Sequence, residues 1–230
     1  MRTIGMIGGM SWESTALYYK VINQETQRLL GGQHNARSVV LSVDFAEIEA
    51  HQVAGRWDEA AAVLCEAAKT LAGAGAEIMI LCTNTMHKVA SAVAEATDAK
   101  FIHIADPTAE QIRKHGIQAV GLLGTRYTME EEFYRQRIEC AGLKVIVPER
   151  QERDEVHRII YDELCHGVIK EASRRRYQDI VRSLRARGAE GVILGCTEIG
   201  MLLESRDVDL PLFDTARLHA AAAVTEALRT

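Results

Sequence analysis

No two of the five cysteines stand in a CxxC spacing, and no group of Cys and His has the spacing of zinc ligands. Cys65, Cys82, Cys140, Cys165 and Cys196 are odd in number and scattered, which fits a reducing compartment better than a disulfide framework. No apolar run approaches the ~20 residues that span a bilayer. The chain enters a strand pattern at once, without signal-peptide architecture, so the expected location is cytoplasmic. A net charge of −5, with one basic cluster at Arg174-Arg175-Arg176 that reads as a solvated helix face, argues against a nucleic-acid partner. Low-complexity linkers are missing. So are a dinucleotide fingerprint and a phosphate loop, because the Gly8-Gly9 turn matches neither. What remains is ordinary globular composition, 47% apolar and 26% charged, in 230 residues: enough for one large domain or two small ones.

Against that background one stretch stands out. The apolar run Ile78 to Leu81 stops abruptly at Cys82-Thr83-Asn84-Thr85, and a helical pattern resumes at Met86. A strand that ends this way offers a thiol, hydroxyls and an amide at the carboxyl edge of a sheet, where open α/β folds bind ligands. The pattern is written twice. Gly75-Ala76-Glu77-Ile78 to Thr85 recurs as Gly188-Ala189-Glu190-Gly191 to Glu198, an offset of 113 (75 to 188). Ile4-Gly5-Met6-Ile7-Gly8-Gly9 recurs as Val120-Gly121-Leu122-Leu123-Gly124-Thr125, an offset of 116 (4 to 120). Two matched pairs at nearly one offset point to a duplicated unit, although buried apolar strands also resemble one another by chance.

Strand and helix patterns alternate along the chain. Strands are predicted at residues 2–7, 37–43, 77–81, 101–104, 118–123, 144–147, 191–194 and 210–213. Helical spacing covers 12–30 after an N-cap at Ser11, 46–51, a helix to 72 capped by Asp58, 86–96, 108–115, a helix from 127 or 128 to 140, 151–165, 170–187, 199–203 and 215–228. The expected fold is α/β: two pseudo-symmetric lobes, each a mostly parallel sheet flanked by helices, with the active site in a cleft between them. The boundaries follow from the repeat: 1–116, 117–212, and a terminal helix 213–230 packing back on the first lobe.

Two strand ends facing one cleft suit proton removal on one face of a carbon and return on the other, which inverts a stereocentre. A thiol of pKa ~8.5 is near enough to neutrality for neighbours to tune it into a base. Backbone and hydroxyl donors from Gly8 to Ser11, with Asn84, Thr85 and Thr197, would take a substrate carboxylate.

The motifs Met6-Ile7-Gly8-Gly9-Met10-Ser11-Trp12-Glu13-Ser14-Thr15, Cys82-Thr83-Asn84-Thr85-Met86-His87-Lys88, His103-Ile104-Ala105-Asp106, Gly124-Thr125-Arg126-Tyr127-Thr128-Met129 and Gly195-Cys196-Thr197-Glu198-Ile199 resemble the aspartate/glutamate racemase family. They occur in the family's order and span essentially the whole chain. The resemblance implies an isomerase that uses a cysteine pair without pyridoxal phosphate or metal, acts on acidic amino acids and forms a homodimer. The net charge and the short apolar runs argue against a nucleic-acid or membrane partner.

One position departs from the family. The residue directly before Asn-Thr, a cysteine in the family, is Thr83 here, and Cys82 lies one place earlier. The ungapped repeat also pairs Thr83 with Cys196, and alternation along a strand then turns Cys82 away from the face that Thr83 presents. Three readings follow. Cys196 is the thiolate base and Thr83 serves the other face; the resemblance implies that the second-half cysteine serves the L enantiomer, hence a bias towards L substrates. Or Cys82 reaches the site through a bulge. Or one face alone is catalytic, as in a one-cysteine decarboxylase or isomerase. A non-catalytic amino-acid-binding protein is the competing class. The substrate-binding candidates are Met10, Gln52, Asn84, Thr85, Thr125, Lys170, Thr197 and Glu198. Of these, Gln52 also reads as a surface helix end and Lys170 as a solvated lysine, while Glu198 could polarise the thiol. His87 and His103 read as structural histidines, and Asp44 as a structural cap.

Overall fold

A computed structural model describes residues 1–229. Among these residues eight strands form two four-stranded sheets, parallel throughout. The first holds β1 (Ile4–Gly8), β2 (Ser38–Ser42), β3 (Ile78–Leu81) and β4 (Lys100–Phe101) in the order β2-β1-β3-β4. The second holds β5 (Ala119–Gly124), β6 (Lys144–Ile146), β7 (Gly191–Gly195) and β8 (Leu212–Asp214) in the order β6-β5-β7-β8. Helices flank both sheets, so the α/β class read from the sequence is the one observed. Every residue of β1, β3 and β7 is buried. That is why these strands read as unbroken apolar runs: a parallel strand covered on both faces has no polar side to alternate with.

The internal repeat is a repeat of register. Ile4 pairs with Ile78 in the first sheet and Val120 with Gly191 in the second, so the two sequence offsets carry one pairing onto the other. In both sheets the central pair is also where the strand order reverses. In open α/β sheets, the crevice beyond the carboxyl ends at such a switch point is where ligands bind. The fold therefore marks Gly8–Ser11 with Cys82–Thr85 in one sheet, and Gly124–Thr125 with Cys196–Glu198 in the other.

The chain forms two compact units, Met1–Ile104 with the chain from His219 on, and Ala105–Leu218. The sequence pattern drew a boundary at 116, but helix Ala105–Lys114 belongs to the second unit. Its Asp106 takes a bidentate pair from Arg137, at 2.6 and 2.8 Å. The end of helix Thr215–Leu228 is tied into the first unit by Glu226, which lies 2.5 Å from Arg2 and 2.9 Å from Lys100.

Several predicted boundaries move. Asp58 does not cap its helix, which starts a residue earlier at Trp57 after Arg56; Asp58 sits in the first turn, where its charge suits the helix dipole. The helix expected at 86–96 begins as a 3-10 turn, Thr85–Val89, and becomes α-helical only over Ala90–Glu95. The helix expected from 127 to 140 is two, Arg126–Glu130 and Glu132–Cys140, broken where Glu131 is extended. Helix Ala105–Lys114 starts a turn before the expected 108, with Pro107 in its first turn, where proline's missing N–H costs nothing. Helix Arg150–Asp162 ends three residues short of 165 and gives way to a 3-10 turn, Leu164–His166. Among the described residues no helix is long and apolar enough to cross a membrane.

Candidate active site

In the first unit, the loop after β1 is held by its own hydroxyls. Gly9 N–H donates to Thr15 Oγ1 at 2.8 Å, and Thr15 Oγ1 donates to the Ser11 carbonyl at 2.9 Å. Ser11 caps helix Trp12–Leu30 by accepting from Ser14 N–H. Gly9 has no substitute. Its φ is +92°, and a Cβ there would lie 2.1 Å from the Val43 carbonyl oxygen. Met10 and Ser11, in the same loop, are buried.

Beyond β3, Cys82, Thr83, Asn84 and Thr85 are all buried. The Cys82 carbonyl accepts from Ser14 Oγ at 2.7 Å, which ties the two strand ends of the switch point together. The Cys82 side chain is wholly enclosed, and burial pushes its thiol far above the ordinary range. It is a packed, protonated sulfur. Thr83 retains 7% of its surface, and among the described residues its hydroxyl makes no hydrogen bond.

Gln52, expected just beyond a short helix, lies inside helix Phe45–Val53 and is buried, with Nε2 3.0 Å from Met86 Sδ. The longer helix carries this amide against the turn that follows Thr85, so it is not a surface helix end. Asp44 caps that helix by accepting from Ala46 N–H, the structural role read for it.

In the second unit the same arrangement carries different groups. Register places Gly195 where β3 is followed by Cys82, and Cys196 where Thr83 stands. Position 195 has no room for a side chain: a Cβ would come within 2.9 Å of both Leu122 Cδ1 and the Leu123 carbonyl. Cys196 is 8% exposed. Its Sγ donates to Glu198 Oε2 at 2.9 Å, and Thr197 Oγ1 donates to the same oxygen at 2.6 Å. Burial first, then the charge of Glu198, hold this thiol well above its ordinary range, while a hydrogen bond from the Glu198 backbone works the other way. Thr125 ends β5 as an N-cap, accepting from Thr128 N–H.

Lys170 stands at the N-terminal boundary of helix Glu171–Ala186 without a side-chain cap, and its ammonium lies 3.4 Å from Glu163. Sequence reasoning missed Glu163. Burial alone would raise its carboxyl, but hydrogen bonds from Ser173, at 2.6 Å, and from Lys170 bring it below the usual range. It missed Tyr177 as well, a fully buried phenol that burial first, then its neighbours Cys196 and Glu163, push well above the ordinary range. Helix spacing marks Tyr177 as core and says nothing of its polar end.

A family model for Asp/Glu/hydantoin racemases matches residues 7–223. A solved Yersinia pestis protein assigned as an Asp/Glu racemase is 51% identical, with each chain fully covered and a TM-score of 0.93. An aspartate racemase homologue of Pyrococcus horikoshii is 35% identical over both full chains, with a TM-score of 0.85. The broad-specificity amino-acid racemase of Bacillus subtilis is 21% identical over 96% of each chain. The fold is that of a racemase-type enzyme. The chain belongs to the Asp/Glu/hydantoin racemase family.

Proposed function

We propose that this enzyme interconverts the L and D forms of aspartate or glutamate by direct proton transfer, without a cofactor, as a cytoplasmic homodimer. Cys196 serves one face of the α-carbon and Thr83 the other. The observation that carries this reading is the register that puts Thr83 and Cys196 at equivalent strand ends. The names of the relatives favour an acidic substrate.

In the scheme, Glu198 accepts the Cys196 proton, and the thiolate takes the α-proton of the L enantiomer. The Thr83 hydroxyl delivers a proton to the opposite face and is reprotonated from water. A hydroxyl is a far weaker acid and base than a thiol, so the two faces are unequal. Because enantiomers have equal free energy, kcat/KM must be the same in both directions. The bias towards L substrates therefore resides in kcat and KM taken separately. Met10, Asn84, Thr85, Thr125 and Thr197 are assigned to the α-carboxylate and ammonium, and Gln52 and Lys170 to the substrate side chain.

A one-base reading keeps a place because Cys82 is enclosed, leaving one thiol among the two strand ends. The fold is shared with an arylmalonate decarboxylase variant at 15% identity and a TM-score of 0.51. Chiral chromatography of L- and D-aspartate and glutamate incubated in heavy water separates the readings. The proposal expects the opposite enantiomer, labelled at Cα. Release of carbon dioxide from a malonate-type acid without such labelling would replace it with decarboxylation, and unlabelled, unchanged amino acid would leave only a binding protein.

A further inference from the structure

Three consecutive carbonyls, those of Cys82, Thr83 and Asn84, are each held. The Cys82 carbonyl accepts from Ser14 Oγ at 2.7 Å. The Thr83 carbonyl accepts from the His87 ring, with Nδ1 2.8 Å away. The Asn84 carbonyl accepts from the His87 backbone N–H at 3.0 Å. One residue, His87, therefore anchors the peptide groups on both sides of Asn84.

The ring can do this in one protonation state only. Its Nε2 accepts from the Ile104 N–H at 3.2 Å, so Nε2 carries no proton and Nδ1–H must be the donor to Thr83. The segment that supplies Ile104 is itself fixed. The Ile102 carbonyl accepts from His219 Nε2 at 2.8 Å, and His219 Nδ1 lies 2.9 Å from the Tyr18 hydroxyl. The His87 ring also stands edge-on to His103, with centroids 4.5 Å apart. A neutral imidazole clamped at both nitrogens is a rigid strut from the chain beyond β4 to the Thr83 peptide.

We infer that His87 is a positioning residue for Thr83: its Nδ1–H fixes the Thr83 peptide plane and thereby aims the Thr83 hydroxyl. This rests on the proposed role of Thr83. Side chains that act on a reacting atom need supports that lock their direction, and a misplacement of ~1 Å can cost about 100-fold. The consequence is one-sided. Loss of the strut should impair the Thr83 face and spare the Cys196 face.

Two reactions read the faces apart. Racemisation of L-aspartate needs both. Elimination from 3-chloro-L-aspartate needs Cys196 alone: the thiolate takes the α-proton, the C–Cl electron pair leaves with chloride, and the resulting enamine hydrolyses to oxaloacetate and ammonia. His87→Asn keeps a donor near the Nδ1 position, whereas His87→Gln places its amide near Nε2 and gives up the Thr83 bond. The ratio of racemisation to elimination should fall at least about tenfold in His87→Gln and stay within about threefold of wild type in His87→Asn. Equal loss of both reactions in His87→Gln, with the ratio kept, would reduce His87 to a structural residue and overturn the inference. Thr83→Ala is the control for the premise: if it leaves the ratio unchanged, the role of Thr83 fails. If Thr83→Ala collapses the ratio and His87→Gln does not, only the role of His87 fails. A variant-free check is nitrogen NMR of the wild-type ring, which should show His87 protonated at Nδ1 and bare at Nε2. A proton on Nε2 would contradict the strut.

Discussion

Glu198 Oε2 lies 2.9 Å from Cys196 Sγ, close enough to hold the thiol proton, and it takes the Thr197 hydroxyl at the same time. The carboxylate has two opposed effects. Its charge raises the Cys196 thiol, which disfavours the thiolate at rest, yet in the proposed scheme it is the acceptor of the thiol proton. Glu198→Gln separates them. Removing the negative charge should let Cys196 ionise at lower pH, seen as thiolate absorbance against a Cys196→Ala blank. Racemisation should nonetheless fall by ~10²-fold or more, the usual worth of a positioned acid–base group. An unchanged thiol titration, or full activity, would contradict the assignment.

Cys82 gives the opposite expectation. Its sulfur is enclosed and its thiol is pushed up by burial, so nothing ionisable is lost when it is removed. Cys82→Ala should keep near-normal racemisation and lose about 1 kcal/mol in urea unfolding, from the small cavity left behind. Loss of activity with an intact fold would show that Cys82, not Thr83, serves the first strand end.

The acid limb of stability should depend on Glu226. Hydrogen bonds from Lys100 and then Arg2 hold its carboxyl down to about 2, below the 4.5 of an unconstrained glutamate. A depressed carboxyl contributes stability above the unfolded value and loses it as pH falls through the folded one. The stability difference between wild type and Glu226→Gln should therefore be full above about pH 4.5, shrink below it and vanish near pH 2. Urea midpoints between pH 7 and pH 2 measure it; a difference independent of pH would mean that the ion pairs contribute nothing.

These particulars also show what a sequence can and cannot disclose. The central strands were legible because β1, β3 and β7 are covered on both faces, and their repeat was legible because register preserved it. The equivalence of Thr83 and Cys196 came from the same repeat. Helix ends were less so. Asp58 looks like a cap, yet the helix begins before it, and no glycine or proline marks the break at Glu131. Gln52 looked marginal because nothing in its segment shows that the helix continues to Val53 and buries it. His87 reads as a structural histidine, but its link to Thr83 is hidden for a different reason. Its partners are the carbonyls of Thr83 and Asn84 and the N–H of Ile104, and backbone atoms leave no signature in a sequence.

The most direct measurement takes Cys196→Ala and Thr83→Ala through the same pair of assays, D-aspartate formation from L-aspartate and oxaloacetate release from 3-chloro-L-aspartate. The two-face account predicts that Cys196→Ala does neither, while Thr83→Ala eliminates chloride near the wild-type rate but forms almost no D-aspartate. Wild-type racemisation by Thr83→Ala, or elimination persisting in Cys196→Ala, would contradict it.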